Sequence, residues 1–167
     1  MDNLSDPHLD DYLFEKRGDI NKHIAIYHGY REYSGIMNRI ICLTLEGGDI
    51  IGDFRIEGGG LNHQFDSGCT NDMHISIDDN YKGNGYTKIM IKHLVDKIYE
   101  DIPDMVDRGD QVLFIDADAS DGFWDKIGMV ESKRYGYNRN PKYADREGAG
   151  YEKYITINKL YGFAKSR

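Results

Sequence analysis

The stretch from Met73 to Ile98 constrains the fold of this chain most strongly, because its hydrophobic period changes across a glycine turn. Asp72 to Ile77 alternates apolar and polar residues, and a period of two predicts a half-buried strand. Tyr86 to Glu100 has the period of an amphipathic helix, with apolar residues at i, i+3, i+4 and i+7: Ile91, Leu94, Val95 and Ile98. The chain therefore passes from a strand through a tight turn directly into a helix.

The turn itself, Lys82-Gly83-Asn84-Gly85, indicates an anion site. The first N–H groups of a helix have no partner within the helix, and they lie at the positive end of its dipole. Glycines without a Cβ allow a bulky ligand to approach this backbone closely. Phosphate binding is the function that this order of elements favours.

Other alternating stretches predict a sheet around this unit. Upstream strands are expected at His23 to Tyr30, Arg39 to Leu45 and Ile50 to Ile56, with a turn at Glu46 to Asp49. Together with Asp72 to Ile77 they predict an antiparallel meander. The downstream expectations are strands at Gln111 to Ile115, Met129 to Tyr135 and Tyr154 to Leu160, a helix at Ser120 to Ile127 closed by Gly128, and loops at Leu61 to Asn71 and Gly136 to Glu152.

The chain of 167 residues is long enough for one domain with a sizeable core. We divide it into an N-terminal surface segment, residues 1–22, with a short helix at Leu9 to Arg17, and a single domain, residues 23–167. The fold class expected for this domain is α+β, with a mixed, mainly antiparallel sheet flanked by helices.

Composition narrows the classes of function. The net charge of −8 argues against nucleic acid and anionic membranes as partners. No apolar run reaches the length of a membrane span, and the two cysteines match no disulfide or metal spacing, so we expect a soluble cytoplasmic protein. A calcium loop starting at Asp116 would need Gly at its sixth position and Glu at its twelfth, where Asp121 and Ile127 stand. No metal is expected.

Two common phosphate-binding patterns do not fit the turn. The P-loop needs a Lys-Ser or Lys-Thr pair after its second glycine, and the chain has no such arrangement. The dinucleotide fingerprint needs a third glycine where Lys88 stands, and it belongs to a parallel sheet rather than a meander.

A third pattern rests on resemblance to a family. Asn80 to Gly85, with the sequence Asn-Tyr-Lys-Gly-Asn-Gly, resembles the acetyl-CoA signature Gln/Arg-x-x-Gly-x-Gly/Ala of the GNAT superfamily of N-acetyltransferases. About forty residues on, Gly122 to Met129 resembles the aromatic-x-Lys-x-Gly-Phe block of the same family. Asn80 replaces the usual Gln or Arg, and Met129 the usual Phe. The two blocks stand in the family's order, separated by a helix and a strand.

The resemblance implies a GNAT-like fold that moves an acetyl group from acetyl-CoA to a primary amine by direct transfer. The backbone of Lys82 to Thr87 would hold the pyrophosphate, and the strand at Ile75 to Ile77 would pair with the pantetheine arm and stabilise the thioester oxygen. The residues expected to contact the cosubstrate are Ile75, Ser76, Ile77, Lys82, Gly83, Asn84, Gly85, Tyr86, Thr87, Ser120, Phe123 and Trp124.

Acetyl transfer also needs proton chemistry. An alkylammonium group must lose a proton before attack, because its pKa is roughly 10. His74 and Asp72 on the central strand are the candidate bases, with His63 and Asp66 in the preceding loop as further alternatives. Trp124 stands where many family members carry a proton-donating Tyr, so either Tyr135 or solvent would protonate the leaving thiolate.

A second hypothesis is a non-catalytic CoA-binding or regulatory domain that keeps the GNAT fold. The family normally places two acceptor-shaping helices between its first two strands, and little room for them exists between Tyr30 and Arg39. The partners implied are acetyl-CoA and an amine acceptor of unspecified identity, and a homodimer is left open.

Overall fold

Five strands form an antiparallel meander in the first half of the chain. They are β1 (Leu13–Asp19), β2 (Ile24–Tyr33), β3 (Ile36–Leu45), β4 (Ile50–Glu57) and β5 (Asn71–Ile77). The structure is a computed structural model that describes residues 9, 11–33, 36–57, 71–108, 113–116, 127–128, 130–131 and 153–166. The predicted turn between β3 and β4 is confirmed, with Gly48 at φ 92° and its N–H donating to the Leu45 carbonyl.

The second half adds helices and three short strands: α1 (Tyr86–Asp101), α2 (Met105–Arg108), β6 (Leu113–Asp116), β7 (Val130–Glu131), β8 (Lys153–Thr156) and α3 (Ile157–Lys165). The strands that the structure describes join one eight-stranded sheet in the order β1-β2-β3-β4-β5-β6-β8-β7. Only β5 and β6 pair in parallel among the described strands. The α+β class with a mixed, mainly antiparallel sheet is thus confirmed.

The main core lies between this sheet and α1. The predicted apolar face of α1 is confirmed, because Ile91, Leu94, Val95 and Ile98 are all fully buried. Ile41 and Leu43 of β3 and Met73 of β5 are buried in the same cluster, and Ile75 and Ile77 pack against it. One face of β5 is therefore committed to packing against α1.

The helix predicted at Leu9 to Arg17 is wrong. Leu13–Asp19 instead pairs with β2 as the edge strand of the sheet, where Leu13 lies opposite Tyr30. Leu9 and Tyr12, expected at the surface, are buried on the side of the sheet away from α1 together with Ile40. Tertiary packing outweighs the weak local preference of this segment. The division at residue 22 stays a prediction.

The strand predicted at Tyr154 to Leu160 is wrong beyond Thr156. The Thr156 side chain accepts a hydrogen bond from the Lys159 N–H at 3.3 Å and caps α3. Ile157, Leu160 and Ala164 then bury one face of a helix. Ile155 and Ile157 are two positions apart, as buried residues of a strand would be. Ile155 does lie in β8, but Ile157 is the first residue of α3 because Thr156 between them is the helix N-cap.

A charge cluster joins the C-terminal end of α1 to the sheet, and we define it as Glu15, His28, Arg39, Lys97 and Asp101. The Glu15 carboxylate lies 3.3 Å from His28 Nδ1 and 3.5 Å from Lys97 Nζ. Asp101 lies 3.4 Å from both Lys97 Nζ and Arg39 Nη2. The His28 and Arg39 side chains are buried, with 1% and 5% exposure. Burial lowers the pKa of His28 to about 4, so it is neutral at pH 7.

Several expectations lie outside the described residues. They are the helix at Ser120 to Ile127 up to residue 126, the strand at Met129 to Tyr135 apart from β7, and nearly all of the loops at Leu61 to Asn71 and Gly136 to Glu152. Gly128 has φ 96°, the left-handed conformation expected of a helix C-cap. No helix in the described part of the chain is both long and apolar enough to cross a membrane.

Candidate functional site

The turn between β5 and α1 is held by its own polar groups. The Asp78 carboxylate accepts from the Asn80 N–H at 2.9 Å and caps a short 3-10 helix at Asp79–Tyr81. Asn84 Nδ2 then donates to the Tyr81 carbonyl at 2.9 Å. These local contacts fix the path of the glycine turn.

Gly83 and Gly85 both have left-handed backbones, with φ 85° and 76°. Such angles favour glycine, because a Cβ there approaches the following carbonyl. A Cβ built at either position would meet no other atom within 4 Å. The space above the turn is therefore open, and the glycines are needed for conformation while leaving room for a ligand.

The N-terminus of α1 faces this open space without a side-chain cap. Gly85 is the N-cap residue and supplies no capping side chain. The first helical hydrogen bond runs from the Ile89 N–H to the Gly85 carbonyl at 3.3 Å. The N–H groups of Tyr86, Thr87 and Lys88 precede that bond, so they have no acceptor within the helix and lie at its positive end. This is the geometry of an anion site.

Two lysines lie beside the turn, and both already have partners. Lys82 Nζ lies 2.7 Å from Asp79 Oδ1, and this contact lowers the pKa of the Asp79 carboxyl. Lys88 Nζ donates to the backbone carbonyl and the hydroxyl of Ser166, both at 3.1 Å. Lys88 thereby fastens the end of α3 beside the start of α1.

The pairing of β5 with β6 stops after two residues. Asn71 pairs with Phe114 and Asp72 with Ile115, and no further pair joins the two strands in the described part of the chain. β5 continues to Ile77 and remains paired with β4 on its other edge. Beyond Asp72, this edge of β5 has no strand partner among the described residues, and main-chain groups on such an edge can pair with an extended ligand.

The face of β5 turned away from α1 carries polar side chains. His74 and Ser76 alternate with the residues that pack against α1, and both are exposed. His74 lies directly across from Arg55 of β4, and Ser76 across from Asp53. Ser76 Oγ donates to Asp53 Oδ1 at 2.5 Å, and Asp53 Oδ2 lies 3.0 Å from Arg55 Nε.

The structure brings together the predicted residues of the strand and the turn. Ile75, Ser76 and Ile77 line the end of β5, and Lys82 to Thr87 follow within one turn of chain. His74 is on the face opposite Met73, Ile75 and Ile77, as the alternation predicts. Asp72 is described only by its backbone, paired with Glu57. The other predicted site residues lie outside the described residues: His63, Asp66, Ser120, Phe123, Trp124 and Tyr135.

Two residues beside His74 were not expected at the site, Asp53 and Arg55. The signal was present in the alternation of Ile50 to Ile56, which puts these two side chains on one face. The pairing register that sets them beside Ser76 and His74 depends on the connection from 58 to 70, and its length does not fix the register.

Comparisons with known proteins give structural similarity only. No model of a protein family matches the chain, and no curated protein sequence matches it. Among solved structures, the chain is similar to the GNAT family N-acetyltransferase YhbS from Escherichia coli in complex with CoA, with a TM-score of 0.44 and 11% identity. That alignment covers 74% of this chain and 62% of the other, so the chain spans less than two thirds of its length. A spermidine/spermine N-acetyltransferase SpeG from Vibrio cholerae gives a TM-score of 0.41 and 13% identity, with 77% and 69% of the two chains covered.

Proposed function

We propose that this chain is an acetyl-CoA-dependent N-acetyltransferase of the GNAT type, moving an acetyl group directly to a primary amine. One observation carries the proposal: the β5 edge that has no partner beyond Asp72 in the described part of the chain leads through two left-handed glycines into the uncapped N-terminus of α1. An extended arm ending in a phosphate group fits this arrangement, because the edge offers main-chain pairing and the helix N-terminus offers N–H donors. The resemblance of Asn80 to Gly85 to the acetyl-CoA signature identifies the arm as pantetheine.

The cosubstrate would lie along the residues in chain order. The N–H groups of Lys82 to Thr87 bind the pyrophosphate, and Lys82 turns from Asp79 to add a charge-assisted contact. The edge of Ile75 to Ile77 pairs with pantetheine and donates one N–H to the thioester oxygen, which carries negative charge in the tetrahedral intermediate. Ser76, Ser120, Phe123 and Trp124 complete the cosubstrate contacts in this proposal.

The transfer forms an N–C bond and breaks a C–S bond. His74, or Asp72 beside it, takes a proton from the ammonium group of the acceptor, and the neutral amine attacks the thioester carbonyl carbon. The CoA thiolate leaves, the nitrogen loses its second proton as the amide forms, and that proton reaches the thiolate through Tyr135 or water. His74 is exposed on the open face of β5 and can exchange its proton with solvent between turnovers.

A second candidate function, a CoA-binding domain without catalysis, is favoured by one feature. β2 ends at Tyr33 and β3 begins at Ile36, so a short hairpin stands where the family has two acceptor-shaping helices. A domain that binds CoA but no acceptor would need the glycine turn and would not need those two helices. A cytoplasmic location and a homodimer are further proposals.

Turnover separates the two functions. The purified chain is incubated with acetyl-CoA and a panel of amines, while free CoA thiol and acetylated product are both measured. The enzyme releases thiol and product in equal amounts, and His74→Gln lowers kcat with little change in acetyl-CoA affinity. The non-catalytic domain gains thermal stability from CoA without turnover. If acetyl-CoA at millimolar concentration gives no stabilisation, both functions are wrong.

A further inference from the structure

Among the described residues, one face of β5 is filled by packing and the other is exposed. Met73, Ile75 and Ile77 fill the face toward α1 by packing against its core. The opposite face carries His74 and Ser76, both exposed. An amine that meets an acyl group on the β5 edge therefore approaches across this second face. This step rests on the proposed function.

Arg55 is the cation that such an acceptor meets beside His74. The two residues are direct cross-strand partners, so their Cβ atoms are about 5 Å apart. The Arg55 side chain is only 25% exposed, and its Nε lies 3.0 Å from Asp53 Oδ2. Asp53 is held in turn by the Ser76 hydroxyl at 2.5 Å. The guanidinium is thus held by an ion pair with Asp53, while its buried Nε makes no hydrogen bond within the described residues.

The terminal nitrogens of Arg55 keep donors for a ligand. Nη1 lies 3.8 Å from Glu57 Oε1, which is beyond hydrogen-bonding distance, and no hydrogen bond to Nη2 is present in the described part of the chain. The planar fork of an arginine matches a carboxylate, which it binds through two parallel N–H···O bonds. A partly buried guanidinium whose Nε makes no hydrogen bond within the described residues is a suitable carboxylate site.

We infer that the acceptor is an α-amino acid, with its carboxylate on Arg55 and its amino group at His74. The inference rests on the short distance between Arg55 and His74. Because these two side chains are cross-strand neighbours, the acceptor groups that they bind must also be close together. In an α-amino acid the amine and the carboxylate share one carbon atom. His74 takes a proton from the α-ammonium group, the nitrogen bonds to the acetyl carbon as the C–S bond breaks, and the second proton of the nitrogen passes to the CoA thiolate.

A polyamine would need carboxylates on the same face. Both oxygens of Asp53 are already engaged, by Ser76 and by Arg55, and this leaves Glu57 as the carboxylate with open capacity among the described residues of β4. A second cation bound there would lie beside the Arg55 guanidinium, which repels it. The geometry therefore favours an anionic group over a second ammonium group.

The test uses acceptors that differ only in the carboxylate. Initial rates are measured for leucine against isoamylamine, phenylalanine against phenethylamine, and leucine against leucinamide, with spermidine as a separate acceptor. We expect kcat/KM to be roughly ten- to a hundredfold higher for each amino acid than for its partner, as loss of a charge-assisted pair implies. Equal rates within a pair, or a preference for the decarboxylated amine or for spermidine, would overturn the inference while the proposed function stands.

Substitutions test whether Arg55 is the residue that binds the acceptor carboxylate. Arg55→Met should raise KM for leucine by roughly tenfold or more and leave KM for isoamylamine unchanged, and Arg55→Lys should restore part of the loss. Lys16→Met, which removes a cation paired with Asp19 on edge strand β1, is the matched control and should leave both KM values unchanged. Equal changes in KM for both acceptors would also contradict the inference. Absence of turnover with every amine, despite CoA binding, would instead refute the proposed enzyme.

Discussion

The two ends of α1 are built in opposite ways. At its C-terminal end the side chains of the charge cluster contact one another across four elements, β1, β2, β3 and α1, and His28 and Arg39 are buried there. At its N-terminal end the backbone N–H groups have no side-chain cap, and open space lies above Gly83 and Gly85. A helix anchored at one end can hold the other end rigid for a ligand, without a local contact that competes for the same donors.

This difference predicts that the two ends respond to different perturbations. Changes in the glycine turn should alter affinity for CoA strongly and change stability by no more than about 1 kcal/mol. Changes in the charge cluster should alter stability and leave affinity nearly unchanged.

Gly83→Asp should give the largest effect. A carboxylate in the open space repels phosphate and occupies its position, so affinity for acetyl-CoA should fall by about a hundredfold or more in a calorimetric titration. The left-handed backbone at φ 85° should cost about 1 kcal/mol of stability. Gly47→Asp, in the β3–β4 turn, is the matched control, because a Cβ there also meets no atom within 4 Å. Affinity retained in Gly83→Asp would rule out the turn as the phosphate site.

Asp101→Asn tests the other end of the helix. It leaves Arg39 buried with a weaker partner, so the free energy of unfolding should fall by about 3 kcal/mol in urea. Arg39→Met, which removes the buried charge itself, should be much less destabilising, and Asp107→Asn on exposed α2 should change stability little. A larger loss for Arg39→Met than for Asp101→Asn would contradict this account. Affinity for CoA should stay within about twofold in all three variants.

The pH dependence of stability should come in part from the charge cluster. Burial lowers the pKa of His28 to about 4, whereas an unfolded histidine titrates near 6.5. Below pH 6.5 the unfolded chain therefore binds a proton that the folded chain does not, so stability is complete above that pH and falls as the pH drops toward 4. Between pH 7 and pH 5 the loss should be about 2 kcal/mol.

His28→Gln should flatten that dependence in urea titrations at the two pH values. His23→Gln is the control, because His23 is an exposed histidine in the β1–β2 turn region and its ion pair with Glu46 is open to solvent. An unchanged pH dependence in His28→Gln would show that other groups are responsible.

The smallest effect should come from the exposed pair beside the turn. Asp79→Asn removes the carboxylate charge that competes with phosphate for Lys82 and should strengthen acetyl-CoA binding by about threefold, while Lys82→Met should weaken it by a similar factor. Both effects should shrink at high salt, because the pair is exposed. Weaker binding in Asp79→Asn would show that the Asp79 contact positions Lys82 rather than competing for it.

The sequence predicted the N-terminal end of α1 far better than the other end. The strand, the turn and the helix are contiguous, so the alternation of Met73 to Ile77 and the spacing of Ile91 to Ile98 sufficed to place them. The charge cluster could not be predicted, because Arg39 and Asp101 are 62 positions apart and the pair depends on the packing of α1 over β3. The edge strand β1 and the helix α3 were missed for related reasons: pairing with β2 defines β1, and a Thr156 cap within an alternating stretch defines α3.

Amide hydrogen exchange with and without CoA tests the central claim most directly. The account predicts that CoA slows exchange at Gly83 to Lys88, and at one or more amides of Ile75 to Ile77, because those N–H groups become donors to phosphate and pantetheine. Exchange at Lys97 to Asp101 should not change by more than the general stabilisation of the fold. Protection confined to other segments, or no protection at saturating CoA, would contradict the assignment of the glycine turn and the open β5 edge as the cosubstrate site.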